Sequence, residues 1–464
     1  MPADTEIDVA ELLAVQKFSR WHVLTLIVGF LVLFIDGLDF NAVNVAAPAI
    51  LRAWHVDRSA IGIVFGVGNF GILVGTFVFS WVGDRYGRRA GLVLGVLAYS
   101  LPALATPFAG SPTELAAFRF LAGCGIGGVI PNVISLLTEI APAALRATFV
   151  LIAIIGYGLG AAAIGGVAAA LIPSYGWPAV FFVAGASGTV LALALWMWLP
   201  ESMRYQTLVD PESPALRRRV ARLLTGGTMT PGTRLVLGNQ APRQFSVRML
   251  FRGNLRLATI LLWTAFFAEA LTFITLLAWQ TVMLESAGVS PVEASLAFSY
   301  SGLAGIVAML VMSRLLDRFG MIAAVGAAFA TMAAFVAFGT PGLSPGLLVA
   351  VAVLMNGLSA GTHNSLNGLV GAYYPTSIRG NAVGFATGMG RISGIIGPVA
   401  AGYFLSADLP LREIALIIVS PYVVVAAACL ALGLRYRTNL VADGVGDAGT
   451  DTQSQGSRPQ RRAI

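Results

Sequence analysis

Asp36, Asp39, Arg119, Glu269 and Arg391 are charged residues set deep inside long apolar runs, and His363 lies in another among Ser359, Thr362, Asn364 and Asn367. A charge at the centre of a bilayer costs about 2.5–3.5 kcal/mol on insertion scales, so such residues face a polar cavity or a partner. Asp36 and Asp39 are three positions apart, which puts them on one face of a helix. Two carboxyls facing one cavity resist double ionisation, so one of them holds a proton near neutral pH. A carboxyl whose proton affinity changes with its surroundings is what proton coupling requires.

The basic groups suit a different task. Arg391 falls roughly 16 Å into its apolar run at 1.5 Å per residue, close to the midplane. Its guanidinium offers a planar fork to a carboxylate and is the first candidate for an anion site, with a structural pairing to Glu269 as the alternative. Arg119 sits at a depth similar to Asp39, where it either bridges two helices or touches a substrate. His363 and Asn364 are candidate cavity residues, as relay or hydrogen-bonding groups. Phe40, Tyr157, Phe266, Phe273, Trp279 and Tyr374 are able to stack on a ring, although aromatics at helical spacing usually serve packing.

The elements that hold these residues follow from composition. The 464 residues are 57% hydrophobic and only 11% charged, with a mean hydropathy of +0.81. A soluble domain needs more surface charge, so the bilayer is the expected solvent. Runs long enough to span it occur near 22–48, 59–82, 91–109, 115–137, 147–172 and 177–199. A second set follows near 256–283, 293–315, 321–339, 345–372, 381–406 and 412–435. The expected fold is therefore an all-α membrane protein, with twelve transmembrane helices in two six-helix pseudo-repeats. Residues 22–199 and 256–437 form the halves, 1–21 an N-terminus, 200–255 a connecting loop and 438–464 a disordered tail.

Arginines concentrate in the loops on one side, which the positive-inside rule makes cytoplasmic together with both termini. The net charge of +7 thus reports topology, and no nucleic-acid partner is expected. In the connecting loop, Leu216, Val220, Leu223 and Leu224 recur opposite arginines, which predicts a short amphipathic helix on an anionic leaflet. Cys124 and Cys429 lack metal-ligand spacing and read as buried thiols. Asp4, Glu6, Asp8 and Glu11 argue against a cleavable leader.

The segment Asp84-Arg85-Tyr86-Gly87-Arg88-Arg89 returns in reduced form as Asp317-Arg318-Phe319-Gly320, 233 positions later. The same shift carries Pro142 and Arg146 onto Pro375 and Arg379, and Asp36 onto Glu269, which makes Glu269 a candidate for proton coupling beside Asp36 and Asp39. Duplicated halves are a recurrent build of secondary transporters. Asp84, Arg85, Arg88, Arg89, Glu139, Arg146, Asp317 and Arg318 lie at helix ends, where pairs such as Asp84 with Arg88 or Arg89, and Glu139 with Arg146, are expected to gate one side.

These residues resemble the major facilitator superfamily, whose hairpin reads Gly-x-x-x-Asp-Arg-x-Gly-Arg-Arg; Ser80 stands at the leading glycine here. Within it the chain is similar to the aromatic acid:proton symporters, through Asp36-Gly37-Leu38-Asp39, Arg119 with Gly123 to Gly128 and Pro131-Asn132, Tyr374-Pro375-Thr376, and Gly390-Arg391. The resemblance implies import of a hydroxybenzoate-like or benzoate-like carboxylate with protons, by alternating access across a cell inner membrane. It implies that the acids of helix one serve coupling and that Arg119 and Arg391 serve transport. One departure is the run Gly361-Thr362-His363-Asn364, where such proteins often carry Gly-Gln.

Other readings are a carrier for a muconate or sugar acid, a drug:proton antiporter, or a non-transporting sensor. A central arginine disfavours cationic drugs, and the connecting loop is too small for a sensor's output domain. No nucleophile and base constellation points to an enzyme. The expected partners are a small organic anion, protons and membrane lipid, with no cofactor, no metal and a monomeric state.

Overall fold

A computed structural model describes residues 6–224, 229, 233–238, 246–253, 255–374, 378–407 and 409–446. Lipid offers no hydrogen bonds to a backbone, so spanning segments must satisfy their own, and helices do so. A short strand β1 (Glu6–Asp8) and helix α1 (Val9–Val15) precede six membrane helices. These are α2 (Arg20–Trp54), α3 (Arg58–Tyr86), α4 (Arg88–Ala105), α5 (Pro112–Ile140), α6 (Arg146–Tyr175) and α7 (Pro178–Trp198). The connection holds α8 (Met203–Val209), α9 (Pro214–Leu223) and β2 (Arg234–Val236). The second six begin with α10 (Leu255–Ser286), α11 (Pro291–Phe319), α12 (Met321–Phe338), α13 (Pro345–Tyr373) and α14 (Arg379–Ser406). The last span is broken into α15 (Leu411–Val419) and α16 (Pro421–Gly446), because Pro421 has no N–H to continue the first piece.

Among the described residues, eleven spans are long and apolar enough to cross a membrane, the broken pair counting as one. The twelfth, α14, is 28 residues long, but its glycines and Arg391 dilute the apolar run. The 233-residue shift also holds at the helix ends: applied to α3, α4 and α5, it gives both boundaries of α11, α12 and α13. Proline at the first turn opens α5, α7, α11 and α13, where a missing N–H costs no hydrogen bond. The second copy of Pro142, Pro375, lies outside the described residues.

Small residues let the helices meet backbone to backbone. A Cβ on Gly75 of α3 would sit 1.8 Å from the carbonyl oxygen of Cys124 on α5. Close approach of this kind replaces the hydrophobic drive that lipid does not supply. Cys124 is partly buried and Cys429 fully buried, and both are free thiols.

Two sequence expectations need correction. Helix α9 forms, but its apolar face does not lie on a leaflet: Leu216 and Val220 are fully buried in a small core with Val9, Leu13, Met203 and Leu235. The strand β1 runs parallel to β2, pairing Glu6 with Arg234 and Asp8 with Val236, so the N-terminus and the loop fold together. A face already buried against protein has no apolar area left for lipid. In addition, α16 continues to Gly446, past the point where a tail was expected, and residues 447–464 lie outside the described set.

Gly75→Leu is expected to abolish accumulation of folded protein in the membrane. Gly326→Ala, at a position with nothing within 4 Å of the added carbon, should leave it intact. Fluorescence-detected size exclusion checks both, and a monodisperse Gly75→Leu protein would contradict the backbone contact.

Candidate functional site

The first half buries its acids on α2. Asp36 and Asp39 both have zero exposure. Asp39 Oδ2 lies 3.7 Å from Arg119 Nη1 on α5. Arg119 also donates to the Thr106 hydroxyl at 3.1 Å, and its guanidinium covers the Phe181 ring at 5.0 Å. The ion pair links the first and fourth membrane helices, one of the two arrangements open for Arg119. Neither oxygen of Asp36 has a hydrogen-bond partner among the described residues, and the charges acting on it are Asp39 and Arg391.

The second half is arranged differently from the alternative considered above. Glu269 on α10 is fully buried and pairs with His363 of α13, Oε2 to Nδ1 at 2.8 Å, rather than with Arg391. Phe273 stacks on the imidazole at 5.3 Å and 23°, and Phe266 meets it edge-on at 6.3 Å. Asn364 donates one of its two amide N–H groups to the Ala360 carbonyl of its own helix at 2.9 Å.

Arg391 reaches from α14 into the first half. It donates to the Thr76 hydroxyl and, at 3.5 Å, to the Ile72 carbonyl on α3. Thr76 donates to Ile72 O at 2.8 Å or Gly127 O at 3.0 Å, which leaves its oxygen free to accept from Arg391. Tyr157 and Asp36 are the other groups acting on the guanidinium. Thr76 escaped the sequence reading because a threonine in an apolar helix usually bonds its own backbone. A second unforeseen group links Asn356 to Gln280 at 2.8 Å and Gln280 to Ser301 at 2.7 Å, with three helices in one buried chain.

The halves are sealed on the side away from the Asp84 hairpin. There Phe65 meets Trp279 at 5.2 Å, and Trp279 donates to the Pro398 carbonyl at 3.0 Å. Thr281 donates to Asn44 O at 2.7 Å, Arg58 to Leu405 O at 2.5 Å, and Arg52 pairs with Glu285. Towards the hairpin side, Gly384 and Gly388 lie on the same face of α14 as Arg391, and a Cβ on either would meet nothing within 4 Å. The interface is thus open on the hairpin side. A cavity of about 40 Å³ lies deeper, lined by Phe40, Asn44, Phe65, Asn69, Arg119 and Ile274 among others.

The hairpin residues pair within the first half. Arg88 binds Asp84 at 2.5 Å and Glu139 at 3.0 Å. Glu139 also accepts from Ser202 at 2.5 Å, so Arg88 and not Arg146 is its partner; Arg146 Nε has none among the described residues. Arg89 donates to Trp196 O and, through its backbone N–H, to Glu201 at 3.2 Å, while Tyr205 donates to Arg85 O at 2.9 Å. The hairpin is thereby tied to the small domain of β1, α1, α8, α9 and β2. In the repeat, Asp317 and Arg318 are exposed, and Arg318 covers the Phe319 ring at 5.1 Å. Among the described residues no cluster of His, Cys, Asp or Glu is arranged to hold a metal.

Two six-helix halves that meet around a shared arginine and buried acids, sealed on one side, define a polytopic membrane carrier. The family model described as Major Facilitator Superfamily matches residues 29–398 and 261–457, and the chain belongs to that family. It is a family of transporters and not of enzymes. The chain is 30% identical to a gallate transporter of Pseudomonas putida, over 93% of this chain and 96% of the other. It is 29% identical to a 4-hydroxybenzoate transporter of Pseudomonas aeruginosa, over 94% and 97%. The crystal structure of a D-xylose-proton symporter has the same fold, with a TM-score of 0.65 at 16% identity over 88% of this chain and 97% of that one.

Arg119→Leu leaves Asp39 buried without its countercharge, a loss of about 3–5 kcal/mol for a buried pair. The expected result is a clear fall in the thermal midpoint of the detergent-purified protein, largely recovered in Arg119→Leu with Asp39→Leu. An unchanged midpoint in the single variant would remove the pair as a structural element.

Proposed function

We propose that the chain carries an aromatic carboxylate together with protons, by rocking its two halves about the site shared by Arg391 and Asp36. The observation that carries this reading is that Arg391 belongs to the second half yet binds α3 of the first and acts on Asp36. A fork that spans the moving interface can take a substrate carboxylate in two parallel hydrogen bonds, in place of Thr76 and Ile72. With Asp36 ionised, Arg391 is already balanced across the interface. A proton on Asp36 releases that balance, and the guanidinium is left to the anion. Proton and substrate therefore favour each other's binding.

Glu269 with His363 is a second protonatable pair, while Asp39 with Arg119 braces α2 against α5. The relatives that transport gallate and 4-hydroxybenzoate support a benzoate-like cargo, and the partly exposed ring of Phe273 beside His363 suits one. The arginine-rich hairpin side is assigned to the cytoplasm, both termini included. The membrane is the cell inner membrane and the direction is import. On this assignment the described state opens inward, with Arg52, Glu285, Phe65 and Trp279 closing the outside. The hairpin pairs, being confined to the first half, hold its helix ends and the small domain as one body during rocking. A non-aromatic organic acid would use the same fork but leave the aromatic walls without a partner, and a cationic drug would be repelled by Arg391.

Purified carrier in proteoliposomes is expected to exchange labelled 4-hydroxybenzoate and to accumulate it when a proton gradient is imposed. Exchange of a sugar acid or a cationic dye in its place contradicts the assignment. Arg391→Lys, which keeps the charge but loses the fork, should raise the half-saturation concentration roughly tenfold or more. Asp36→Asn should retain counterflow and lose accumulation against a gradient. Proton-driven accumulation at the wild-type level in Asp36→Asn would remove Asp36 from coupling.

A further inference from the structure

We infer that His363 selects for a hydroxyl group on the substrate ring, accepting its O–H at the imidazole Nε2. The inference rests on the aromatic-carboxylate reading and adds the substitution pattern of the ring.

His363 Nδ1 is engaged by Glu269 Oε2 at 2.8 Å, and Phe273 covers a face of the ring at 5.3 Å and 23°. Phe266 approaches edge-on at 6.3 Å and 77°. A carboxylate on Nδ1 keeps the proton on that nitrogen, so in the neutral imidazole Nε2 carries the lone pair. Nε2 of that neutral form is an acceptor whose position is set by a charge-assisted hydrogen bond and a ring stack.

Exposure separates this from a purely structural pair. The Glu269 side chain is completely buried, whereas the His363 side chain is 33% exposed. The imidazole is thus held from behind and open in front. Its height in the fold matches the anion site, because α14 packs on α10 at Gly390 against Ala270 and at Gly394 against Ile274. Arg391 follows Gly390 and Glu269 precedes Ala270, so the fork and the Glu269–His363 pair lie at one level of the second half. A substrate whose carboxylate is taken by Arg391 presents the rest of its ring to aromatic walls and to this acceptor.

The chemistry makes the selection steep. A site built to bond a hydroxyl discriminates against an analogue that lacks the donor, because its own polar group is then left unpaired. A phenol satisfies Nε2. A methoxy group of similar shape brings no proton and sets two acceptors against each other.

The test is competition in counterflow, using wild-type carrier in proteoliposomes with labelled 4-hydroxybenzoate and unlabelled benzoate, 3-hydroxybenzoate, 4-hydroxybenzoate and 4-methoxybenzoate. At least one hydroxybenzoate is expected to compete about tenfold better than the methoxy analogue. In His363→Phe, which keeps a ring against Phe273, that ratio should fall to near one. In His363→Gln, which restores an acceptor oxygen, it should recover in part. If His363→Phe does not reach the membrane, the comparison of wild type with His363→Gln and His363→Leu decides the same question. A wild-type ratio near one, or a ratio unchanged by loss of the imidazole, overturns the inference while leaving aromatic-acid transport standing. Absence of exchange with any benzoate overturns the carrier reading and this inference with it.

Discussion

The structure depends on the expense of a charge in lipid. Among the described intramembrane charges, Asp39 and Glu269 each meet a partner inside their own half, whereas Asp36 has no hydrogen-bond partner, and that difference sorts the groups by role. Asp39 has Arg119, within one half. Glu269 has His363, also within one half. Asp36 and Arg391 come from opposite halves, so theirs is the balance that a relative motion of the halves must change. On the proposed reading, the pairs inside a half brace it, and the electrostatic interaction of Asp36 with Arg391 between halves makes the interface responsive to a proton and an anion.

The surrounding architecture suits the proposed movement of two rigid bodies about that point. Glycines such as Gly75 allow helices within a half to lock backbone to backbone. The halves also meet at glycines on the sealed side, Gly62 against the Pro398 carbonyl and Gly165 against the Ser295 carbonyl, beside an ion pair, single hydrogen bonds to carbonyls and an edge-on aromatic contact. The hairpin ties the first half to a small domain built from both the N-terminus and the connecting loop. That domain gives the loop a fold of its own, independent of the leaflet.

Much of this was legible in the sequence, and the reason is physical. Intramembrane charges are rare and so mark themselves, which makes Asp36, Asp39, Arg119, Glu269 and Arg391 legible from sequence alone. The 233-residue shift seen in two hairpins reappeared as matching helix boundaries, because duplicated halves keep the lengths that a bilayer sets. Partners were harder. Spacing places a residue on a helix face but does not say which helix that face meets, so Glu269 was offered Arg391 when α13 supplies His363. Thr76 carries no signal, since its importance comes from the arginine that reaches it across the interface. Leu216 and Val220 showed the amphipathic pattern of a surface helix, yet a pattern cannot distinguish lipid from a strand formed by residues more than two hundred positions away.

The central claim is that Arg391 is balanced either by ionised Asp36 or by the substrate carboxylate. The most direct measurement is the pH change of a lightly buffered detergent solution of purified carrier when 4-hydroxybenzoate is added. The account predicts proton uptake from solution on binding, seen as a rise in pH that saturates with the substrate and disappears in Asp36→Asn. Binding without proton uptake, or the same uptake in Asp36→Asn, would contradict it.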